Sequence, residues 1–291
     1  MNSPDTTFER ITIVGLGLVG GSWGLALRES GCKARLTGFD RPEILRLGVE
    51  RGVVDVAAPN LASAVLDADL IILATPVAVI LDLLPQLKGI IQRSALVTDT
   101  GSTKRLICRH AAEAFEGAAL FVGGHPLAGK ERSGLEQAEA GLFRNARYVL
   151  TPHSPDDLED PRVKAFVELV KSVGATPFVT DPSSHDRAVA FLSHLPQLLS
   201  TGLASLIAEQ GAEDFLPEEL AAAGFRDVTR LAESPYNVWR DICLTNIENI
   251  QSALESLILK LEDMKTHLSD RELEREFKQA LKLREKLREI R

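Results

Sequence analysis

A histidine on a glycine-rich turn is the side chain of this sequence best suited to proton transfer. His125 follows Gly123 and Gly124, directly after an apolar segment that predicts a strand. A neutral imidazole in such a turn can take a proton from a ligand hydroxyl, and Ser102, which follows the preceding predicted strand, could orient the ring. Taken alone, a histidine in a turn is more often a hydrogen-bonded loop residue. A nucleotide site nearby would favour the catalytic interpretation.

Three glycines near the N-terminus have the spacing of a phosphate-binding turn. Gly15, Gly17 and Gly20, with Leu18 and Val19 between the last two, form the pattern G-x-G-x-x-G after an apolar run and before a predicted helix. The glycines allow a tight turn and a close approach to a pyrophosphate, whose charge meets the N-terminus of the helix. A glycine turn without a ligand is the alternative, which the flanking strand and helix disfavour.

An acidic residue after the second predicted strand indicates which dinucleotide would bind. Asp40 lies twenty residues after Gly20, where a carboxylate accepts hydrogen bonds from the ribose hydroxyls of NAD and repels the additional phosphate of NADP. Arg41 is adjacent and could attend that phosphate, so NADP stays possible. Thr75 and Pro76 follow another predicted strand, at the sheet edge where such a cofactor lies, and are further candidate contacts.

The second half of the chain contributes two histidines and two arginines. His194 is expected to reach the cleft, whereas His185 and Asp186 are expected to cap or brace a helix. The two histidines are nine residues apart, about two and a half helical turns, so no metal site is predicted. Arg230 is the candidate for bidentate capture of a carboxylate, and a surface ion pair is the simpler expectation for Arg226.

Short apolar segments alternate with helical ones over the first 180 residues. The predicted strands are residues 11–14, 35–39, 70–74, 95–99, 120–123, 148–151 and 175–180. The intervening predicted helices are residues 19–30, 42–51, 77–87, 103–115 and 161–173. This alternation indicates a mostly parallel α/β sheet. The later predicted elements are all helical: residues 181–210, 217–223, 235–268 and 270–291. The sequence therefore predicts a Rossmann-type dinucleotide-binding domain over 1–180 and an all-helical domain over 181–291.

Composition and charge disfavour several classes of protein. The chain has 291 residues, with 33 Lys and Arg against 41 Asp and Glu, and its net charge of −8 disfavours nucleic acid. The apolar residues 70–84 are interrupted and shorter than the roughly 20 residues that span a bilayer, so no membrane segment is predicted. Three cysteines without a paired spacing predict neither disulfides nor zinc. Since the first residues lack a signal-peptide pattern, a cytoplasmic location is expected.

An apolar repeat runs along the predicted helix of residues 235–268. Its members alternate at spacings of three and four: Ile247, Ile250, Leu254, Leu257, Leu261, Met264 and Leu268. Such a stripe packs either on the core of its own domain or against a second copy of the chain. We favour a homodimer formed through the helical domain.

Five segments stand out together, in chain order: residues 15–22 (GLGLVGGS), 99–104 (DTGSTK), 124–134 (GHPLAGKERSG), 193–196 (SHLP) and 224–230 (GFRDVTR). Together they resemble the prephenate/arogenate dehydrogenase family of tyrosine biosynthesis. The resemblance implies oxidative decarboxylation of prephenate or arogenate with a nicotinamide cofactor as hydride acceptor.

The resemblance also implies roles for individual side chains. His125 takes up the proton of the ring 4-hydroxyl, and Ser102 hydrogen-bonds at the same place. Arg230 grips a substrate carboxylate, and His194 helps to shape the substrate pocket. Glu131, in the loop after His125, contacts the substrate or gates access to it.

Two other functions stay open on the sequence alone. A β-hydroxyacid dehydrogenase also joins a Rossmann domain to a helical one, but it relies on a lysine in the first helices of the second domain, and residues 181–210 contain none. A non-catalytic nucleotide-binding sensor would explain the apolar repeat. Such a sensor has no need of His125, Ser102 and Arg230 near one nicotinamide.

Overall fold

The computed structural model describes residues 8–130, 132–213 and 220–289 and contains an eight-stranded sheet. The strands are β1 (Arg10–Val14), β2 (Arg35–Phe39), β3 (Val56–Ala57), β4 (Leu70–Leu73), β5 (Leu96–Asp99), β6 (Leu120–Pro126), β7 (Arg147–Pro152) and β8 (Thr176–Val179). Their order is β3-β2-β1-β4-β5-β6-β7-β8, and neighbours are parallel except β6 and β7. The predicted mostly parallel sheet is therefore confirmed.

Helices accompany the sheet and form the region that follows it. In the sheet region they are α1 (Leu18–Glu29), α2 (Pro42–Glu50), α3 (Leu61–Val65), α4 (Val77–Leu87), α5 (Arg105–Phe115) and α6 (Pro161–Ser172). The later helices are α7 (Pro182–Val189), α8 (Leu195–Glu213), α9 (Ala223–Thr229), α10 (Tyr236–Thr245), α11 (Ile247–Thr266) and α12 (Arg271–Glu289). A π-helical turn, Ala190–His194, joins α7 to α8. The predicted helical region after the sheet is confirmed.

Some elements differ from those that the sequence predicts. The apolar repeat predicts one helix over 235–268, but the chain breaks between α10 and α11 at Asn246. The buried Asn246 side chain donates an Nδ2 hydrogen bond of 2.8 Å to the backbone oxygen of Asp186, a tertiary contact that the repeat does not reveal. The short β3 and α3 were not predicted, because a few residues show no clear period. The predicted helix 217–223 lies partly outside the described residues.

Helices bury both faces of the sheet, which explains the continuous apolar runs in its central strands. On one face, Trp23 of α1 packs against three other aromatic rings at centroid distances of 5.2 to 6.2 Å: Phe143, Tyr148 and Phe166. The opposite face is covered by α4 and α5, whose buried side chains include Ile80, Leu84, Ile107 and Phe115. This packing makes the sheet a rigid base for the loops at its carboxyl edge.

Two carboxylates of the helical region cap helices of the sheet region. Asp241 Oδ2 accepts the Ala78 N–H at 3.1 Å, at the N-terminus of α4. Asp186 accepts the N–H groups of Lys104 and Arg105 at 2.6 and 2.9 Å, at the N-terminus of α5. These oxygens satisfy donors that have no partner within a helix. The carboxyl edge of the sheet is thereby fixed against the helical region.

One helical stretch, Pro182–Glu209, is long and apolar enough to cross a membrane by length and composition. The absence of a membrane segment was predicted from the apolar residues 70–84 alone, and the prediction did not take this stretch into account. A single such helix is weak evidence, because a helix from the core of a soluble protein passes the same test. The stretch carries the buried polar residues His185, Asp186 and His194, which have hydrogen-bond partners within the protein.

Candidate active site

The glycine turn after β1 has the geometry of a phosphate-binding loop. Gly15 has a φ of +93°, and a Cβ there would lie 2.7 Å from the Ala74 carbonyl oxygen. Gly20 backs onto the same turn, since its Cβ would lie 1.9 Å from the Gly15 carbonyl oxygen. A Cβ on Gly17 would meet nothing within 4 Å, so the backbone before α1 faces open space. An anion in that space would meet the helix N-terminus directly.

Asp40 supports this turn from the end of β2. Its Oδ2 accepts the Leu16 N–H at 2.6 Å, and its Oδ1 accepts the Arg41 N–H at 2.6 Å. The remaining lone pairs can accept hydrogen bonds from ribose hydroxyls. The exposed Arg41 guanidinium is near two acids, with its Nε 3.8 Å from Asp40 and 3.6 Å from Glu43. This charge distribution favours a ribose hydroxyl over a ribose phosphate.

A cleft of about 350 Å³ extends from the glycine turn to the helical region. Its lining includes Gly17, Leu18, Val19, Thr75, Pro76, Ser102, His125 and His194. The predicted cofactor contacts among these residues therefore share one cleft with the candidate base. These features fit a dinucleotide. The exposed backbone of the turn can bind a pyrophosphate, the carboxylate of Asp40 can bind a ribose, and the cleft reaches His125.

A second, larger cavity of about 1090 Å³ also reaches His125. Arg230 lines this cavity and not the smaller cleft. The residues that line both are His125, Gly129, Lys130, Ser193, Ser234 and Trp239. His125 therefore stands where a cofactor in the cleft and a substrate in the larger cavity would meet.

His125 is held by a hydrogen-bonded chain from the helical region. Its Nδ1 lies 2.9 Å from His185 Nε2, and His185 Nδ1 lies 2.8 Å from Asp186 Oδ1. The Asp186 carboxylate can only accept, so His185 donates from Nδ1 and accepts at Nε2. His125 then donates from Nδ1 and keeps the Nε2 lone pair for a ligand. The chain selects the tautomer that can act as a base.

The hydrogen bonds between His125, His185 and Asp186 correct two expectations from the sequence. Among the described residues, no hydrogen bond joins Ser102 to His125, and the partner that orients the ring is His185. Ser102 instead lines the cleft that His125 also reaches. His185 and Asp186 were expected to cap or brace a helix. Asp186 does so for α5, through the N–H groups of residues 104 and 105, while His185 serves His125.

The surroundings of His125 keep its imidazole neutral. Burial has the largest effect, the electrostatic effects of His185, Lys104 and His194 act in the same direction, and together they lower the pKa of His125 well below its usual value. A neutral ring is the form that accepts a proton. The site therefore holds a base that is ready at neutral pH.

A buried ion pair that was not predicted from the sequence lies between the loop after β5, which carries Ser102, and β6. His125 was predicted on a turn, but it lies within β6, which extends to Pro126. Asp99 and Lys104 are fully buried and paired with each other. Asp99 also accepts the N–H of Gly101 at 2.8 Å and the N–H of Gly124 at 3.1 Å. It thus fixes the loop after β5 and the residue before His125. The sequence motif placed Asp99 at the end of a strand. It did not show that Asp99 and Lys104 are buried, because charged residues are usually exposed.

His194 is buried in the wall of the smaller cleft. Its Nδ1 lies 3.3 Å from Asn246 Nδ2, and its ring meets Trp239 edge-on at a centroid distance of 5.8 Å. The residue is 1% exposed. Burial lowers the pKa of His194 to about 4, although the charge of Asp186 opposes that change. His194 is therefore neutral at physiological pH and shapes the cleft as an uncharged ring.

We expect folding stability to fall as the pH drops from about 6.5 toward 4. In this window the unfolded chain binds a proton on His194, whereas folded His194, with a pKa of about 4, does not. This difference in the pKa of His194 between the folded and unfolded states lowers the free energy of unfolding by roughly 3 kcal/mol at the acidic end of the window. Thermal unfolding of the wild type and of His194→Gln across this pH range measures it. The variant should lose stability less steeply, and equal slopes would contradict the assignment.

Replacing His185 should slow turnover without affecting cofactor binding. In His185→Phe a ring remains, but the acceptor for the His125 Nδ1–H is lost, so the base no longer has a fixed tautomer. We expect kcat to fall about tenfold or more and its pH profile to change. The matched control is His110→Phe, on the partly exposed face of α5. An unchanged kcat and pH profile in His185→Phe would remove His185 from the site.

The remaining candidate residues either do not line the smaller cleft or lie outside the described residues. Arg230 starts the short 3₁₀ helix Arg230–Glu233 and is exposed in the larger cavity. Arg226 lies on α9 and lines neither the cleft nor the larger cavity. Glu131 lies outside the described residues.

A dinucleotide-binding sheet region, a helical region that completes a second cavity and a neutral histidine between the cavities define a dinucleotide-dependent oxidoreductase. The sequence matches the family "Prephenate dehydrogenase, nucleotide-binding domain" over residues 23–179 and "Prephenate dehydrogenase, dimerization domain" over residues 181–283. The chain belongs to the prephenate dehydrogenase family, and the resemblance found in its sequence is confirmed.

Individual relatives agree with this membership over nearly the whole chain. A prephenate dehydrogenase from Lactococcus lactis subsp. cremoris is 34% identical, across 95% of this chain and 77% of that protein. The crystal structure of prephenate dehydrogenase from A. aeolicus in complex with hydroxyphenyl propionate and NAD+ has a TM-score of 0.84 and 30% identity, covering 99% of this chain and 100% of that one. The crystal structure of Synechocystis arogenate dehydrogenase has a TM-score of 0.79 and 33% identity, covering 96% and 99%.

Proposed function

We propose that this protein is an NAD-dependent dehydrogenase that oxidatively decarboxylates prephenate, arogenate or both in tyrosine biosynthesis. The observation that carries the proposal is the position of His125, a neutral base held at the junction of a dinucleotide cleft and a larger cavity. Relatives named for prephenate and for arogenate are similarly identical to this chain, at 34% and 33%. Both substrates therefore stay in the proposal.

The mechanism assigns the proton to the histidine chain. NAD held in the cleft by the glycine turn and Asp40 would supply the hydride acceptor for the substrate ring. His125 takes the proton of the 4-hydroxyl on Nε2, while its Nδ1–H keeps the bond to His185. The positive charge that develops on His125 is balanced along the chain by the carboxylate of Asp186. Loss of CO₂ from the oxidised ring makes it aromatic, which renders the reaction effectively irreversible.

Other residues bind and orient the ligands. Arg230 holds a substrate carboxylate in the larger cavity, and His194 shapes the smaller cleft. Ser102, which lines that cleft with His125, hydrogen-bonds at the ring 4-hydroxyl, as the resemblance implies. Glu131 contacts the substrate or gates its entry, as the resemblance implies.

The cofactor contacts form a separate group in this proposal: Gly15, Gly17, Leu18, Val19, Gly20, Asp40, Arg41, Thr75 and Pro76. Because the carboxylate of Asp40 lies beside the turn, NAD is favoured over NADP. NADP is retained as a second cofactor to be tested.

Formation of NADH, followed by its near-ultraviolet absorbance, tests the function directly. Prephenate and arogenate are each supplied with NAD and with NADP, which gives four reactions. We expect rapid reduction of NAD with at least one substrate and slower reduction of NADP. If neither substrate gives reduced cofactor, the proposed function is wrong.

The alternatives have less support. A β-hydroxyacid dehydrogenase would need a lysine in the helices after the sheet, and residues 181–213 contain none. A non-catalytic sensor would need no chain of His125, His185 and Asp186 with a base at its end. The same absorbance assay separates the sensor from the enzyme.

We also propose a division of the chain at residues 180 and 181. Residues 1–180 would form the dinucleotide-binding domain, since the sheet ends with β8 at Val179, and residues 181–291 would form the substrate and dimerisation domain, since α7 begins at Pro182. A cytoplasmic location and the lack of nucleic-acid and membrane partners stay predictions of the sequence.

The helical region is proposed to form a homodimer, as the name of the matching dimerization-domain family supports. The apolar repeat, which runs along α11 and ends just after it, is only partly buried within one copy of the chain: Ile250 is buried, whereas Ile247, Leu261 and Leu268 are exposed. Large apolar side chains are also exposed on α8 and α12, namely Leu199, Leu206, Ile207, Phe277, Leu281, Leu283 and Leu287. Apolar surface of this extent on one region is typical of an interface.

Light scattering should give twice the chain mass of 31.7 kDa. Leu261, 49% exposed on α11, would enter the interface, so Leu261→Asp should shift the mass toward the monomer. Leu66→Asp is the matched control, because Leu66 is 59% exposed but lies in the sheet region. A monomeric wild type would contradict the proposed dimer, and equal effects of both substitutions would place the interface elsewhere.

A further inference from the structure

One face of β6, β7 and β8 forms a wall of the larger cavity. His125 of β6 is paired with Val149 of β7, and Val149 is paired with Phe178 of β8. Directly paired residues project from the same face of a sheet. All three line the larger cavity. The candidate base is thus part of a continuous sheet surface inside this cavity.

Arg147 lies on the same face. It precedes Val149 by two residues in β7, and alternate residues of a strand share a face. The residue between them, Tyr148, is buried on the opposite face against Trp23. Arg147 lines the larger cavity as its position on the strand requires, and does not line the smaller cleft. It therefore faces the space proposed for substrate and not the space proposed for cofactor.

The charge of Arg147 is available within the described part of the chain. No hydrogen bond or ion pair of its guanidinium occurs among the described residues. Lys130, in the same cavity, differs, because its Nζ is 2.8 Å from Glu139 Oε2 and 3.2 Å from the Gln137 carbonyl oxygen. The neighbours of Arg147 on the sheet face, Val149 and Phe178, are uncharged. An anionic ligand group would be a suitable partner for this guanidinium.

The distance from the base suits one particular group of the proposed substrates. Arg147 lies about 7 Å along the strand from Val149, the residue paired with His125. In prephenate and arogenate the 4-hydroxyl is at one end of the ring, and the side-chain carboxylate is carried beyond the other end. A substrate with its hydroxyl at His125 can extend this carboxylate along the sheet face toward Arg147. Arg230 would then receive the ring carboxylate.

We propose that Arg147 binds the side-chain carboxylate of the substrate and favours prephenate over arogenate. This inference rests on the proposed function. The side chain of prephenate carries a keto group beside the carboxylate, whereas arogenate carries an ammonium group there. A guanidinium attracts both carboxylates but repels the ammonium, so its contribution is larger for prephenate.

The test compares ligands with and without the carboxylate. The probes are 4-hydroxyphenylpropionate and 4-ethylphenol, which differ by that group, and binding to the NAD-loaded protein is followed through the fluorescence of Trp239, which lines the cavity. Arg147→Met should weaken binding of 4-hydroxyphenylpropionate about tenfold or more and leave 4-ethylphenol within about twofold. The affinity of Arg147→Lys for 4-hydroxyphenylpropionate should lie between those of the wild type and Arg147→Met. Arg109→Met, an exposed arginine of α5 outside both cavities, is the matched control.

Turnover supplies an independent readout. Arg147→Met should raise the KM for prephenate about tenfold, raise the KM for arogenate less, and leave kcat within about twofold. Equal binding of 4-hydroxyphenylpropionate by the variant and the wild type would overturn the proposal, as would an equal loss of both probes. If the wild type oxidises neither substrate, the proposed function fails, while the ratio of the two probes still decides the role of Arg147.

Discussion

His125→Asn should lower kcat by about 10² to 10⁴, the range expected on loss of a general base. Asparagine keeps a polar side chain that can still bond to His185, but it cannot take up the proton of the 4-hydroxyl. Affinity for NAD should stay within about twofold, since the glycine turn and Asp40 are untouched. The measurements are steady-state kinetics with the preferred substrate and a fluorescence titration with NAD. His153→Asn, an exposed histidine after β7, is the matched control.

The pH dependence of the wild type provides a second check on the same residue. Because burial and nearby charges hold the pKa of His125 well below its usual value, the base stays unprotonated as the pH falls through about 6.5. Activity should therefore persist below that pH and decline only in more acidic solution. A kcat in His125→Asn close to that of the wild type, or a wild-type decline centred at the ordinary histidine pKa, would contradict the assigned role.

Gly20→Ala should strongly weaken dinucleotide binding and destabilise the fold. The new Cβ would lie 1.9 Å from the Gly15 carbonyl oxygen and 3.0 Å from the Ala74 Cβ, so the turn and α1 must separate from the sheet. Overpacking of this kind costs about 1–3 kcal/mol or more, which corresponds to a lowering of Tm by roughly 5 °C. We expect NAD affinity to fall at least about 100-fold, because the turn no longer presents its backbone to a pyrophosphate.

Gly17→Ala is the matched control for this substitution. Its Cβ would meet nothing within 4 Å, and Gly17 has a φ of −77°, which alanine adopts without strain. Tm should match the wild type, while NAD affinity should fall about tenfold because the methyl group occupies space at the helix N-terminus. Thermal unfolding and NAD titration of both variants separate the two roles. An undisturbed Tm in Gly20→Ala would show that the turn is looser than its geometry indicates.

Much of the nucleotide half could be predicted because its signals are local. The strands of the sheet are apolar segments of ordinary length between turns, and the glycine pattern with Asp40 is confined to two neighbouring βα units. The carboxyl ends of β5 and β6 pointed to Ser102 and His125 as neighbours of one cleft. These inferences need only the rule that ligands bind at that edge of a parallel sheet.

The histidine chain could not be predicted, because it depends on how the helical region docks. His125 and His185 are sixty residues apart, and the motifs give no sign that their rings meet. The same holds for Asn246, which looks like one more position in an apolar repeat but is buried with its amide on the backbone of Asp186. Arg147 was overlooked for a related reason, since only the antiparallel pairing of β6 with β7 puts it on the face of His125.

The two caps that the helical region places on the sheet region also decide where an anion can settle. Helices α1, α4 and α5 all begin at the carboxyl edge of the sheet, and each start carries partial positive charge. Asp241 and Asp186 occupy the starts of α4 and α5, whereas α1 has no side-chain cap and no acidic residue in its first turn. The contacts of the helical region thus occupy two helix N-termini that could otherwise bind an anion. The N-terminus of α1 remains for a pyrophosphate. Although the net charge of the chain is −8, an anionic cofactor still has one favourable binding position, because the N-termini of α4 and α5 are already capped by carboxylates.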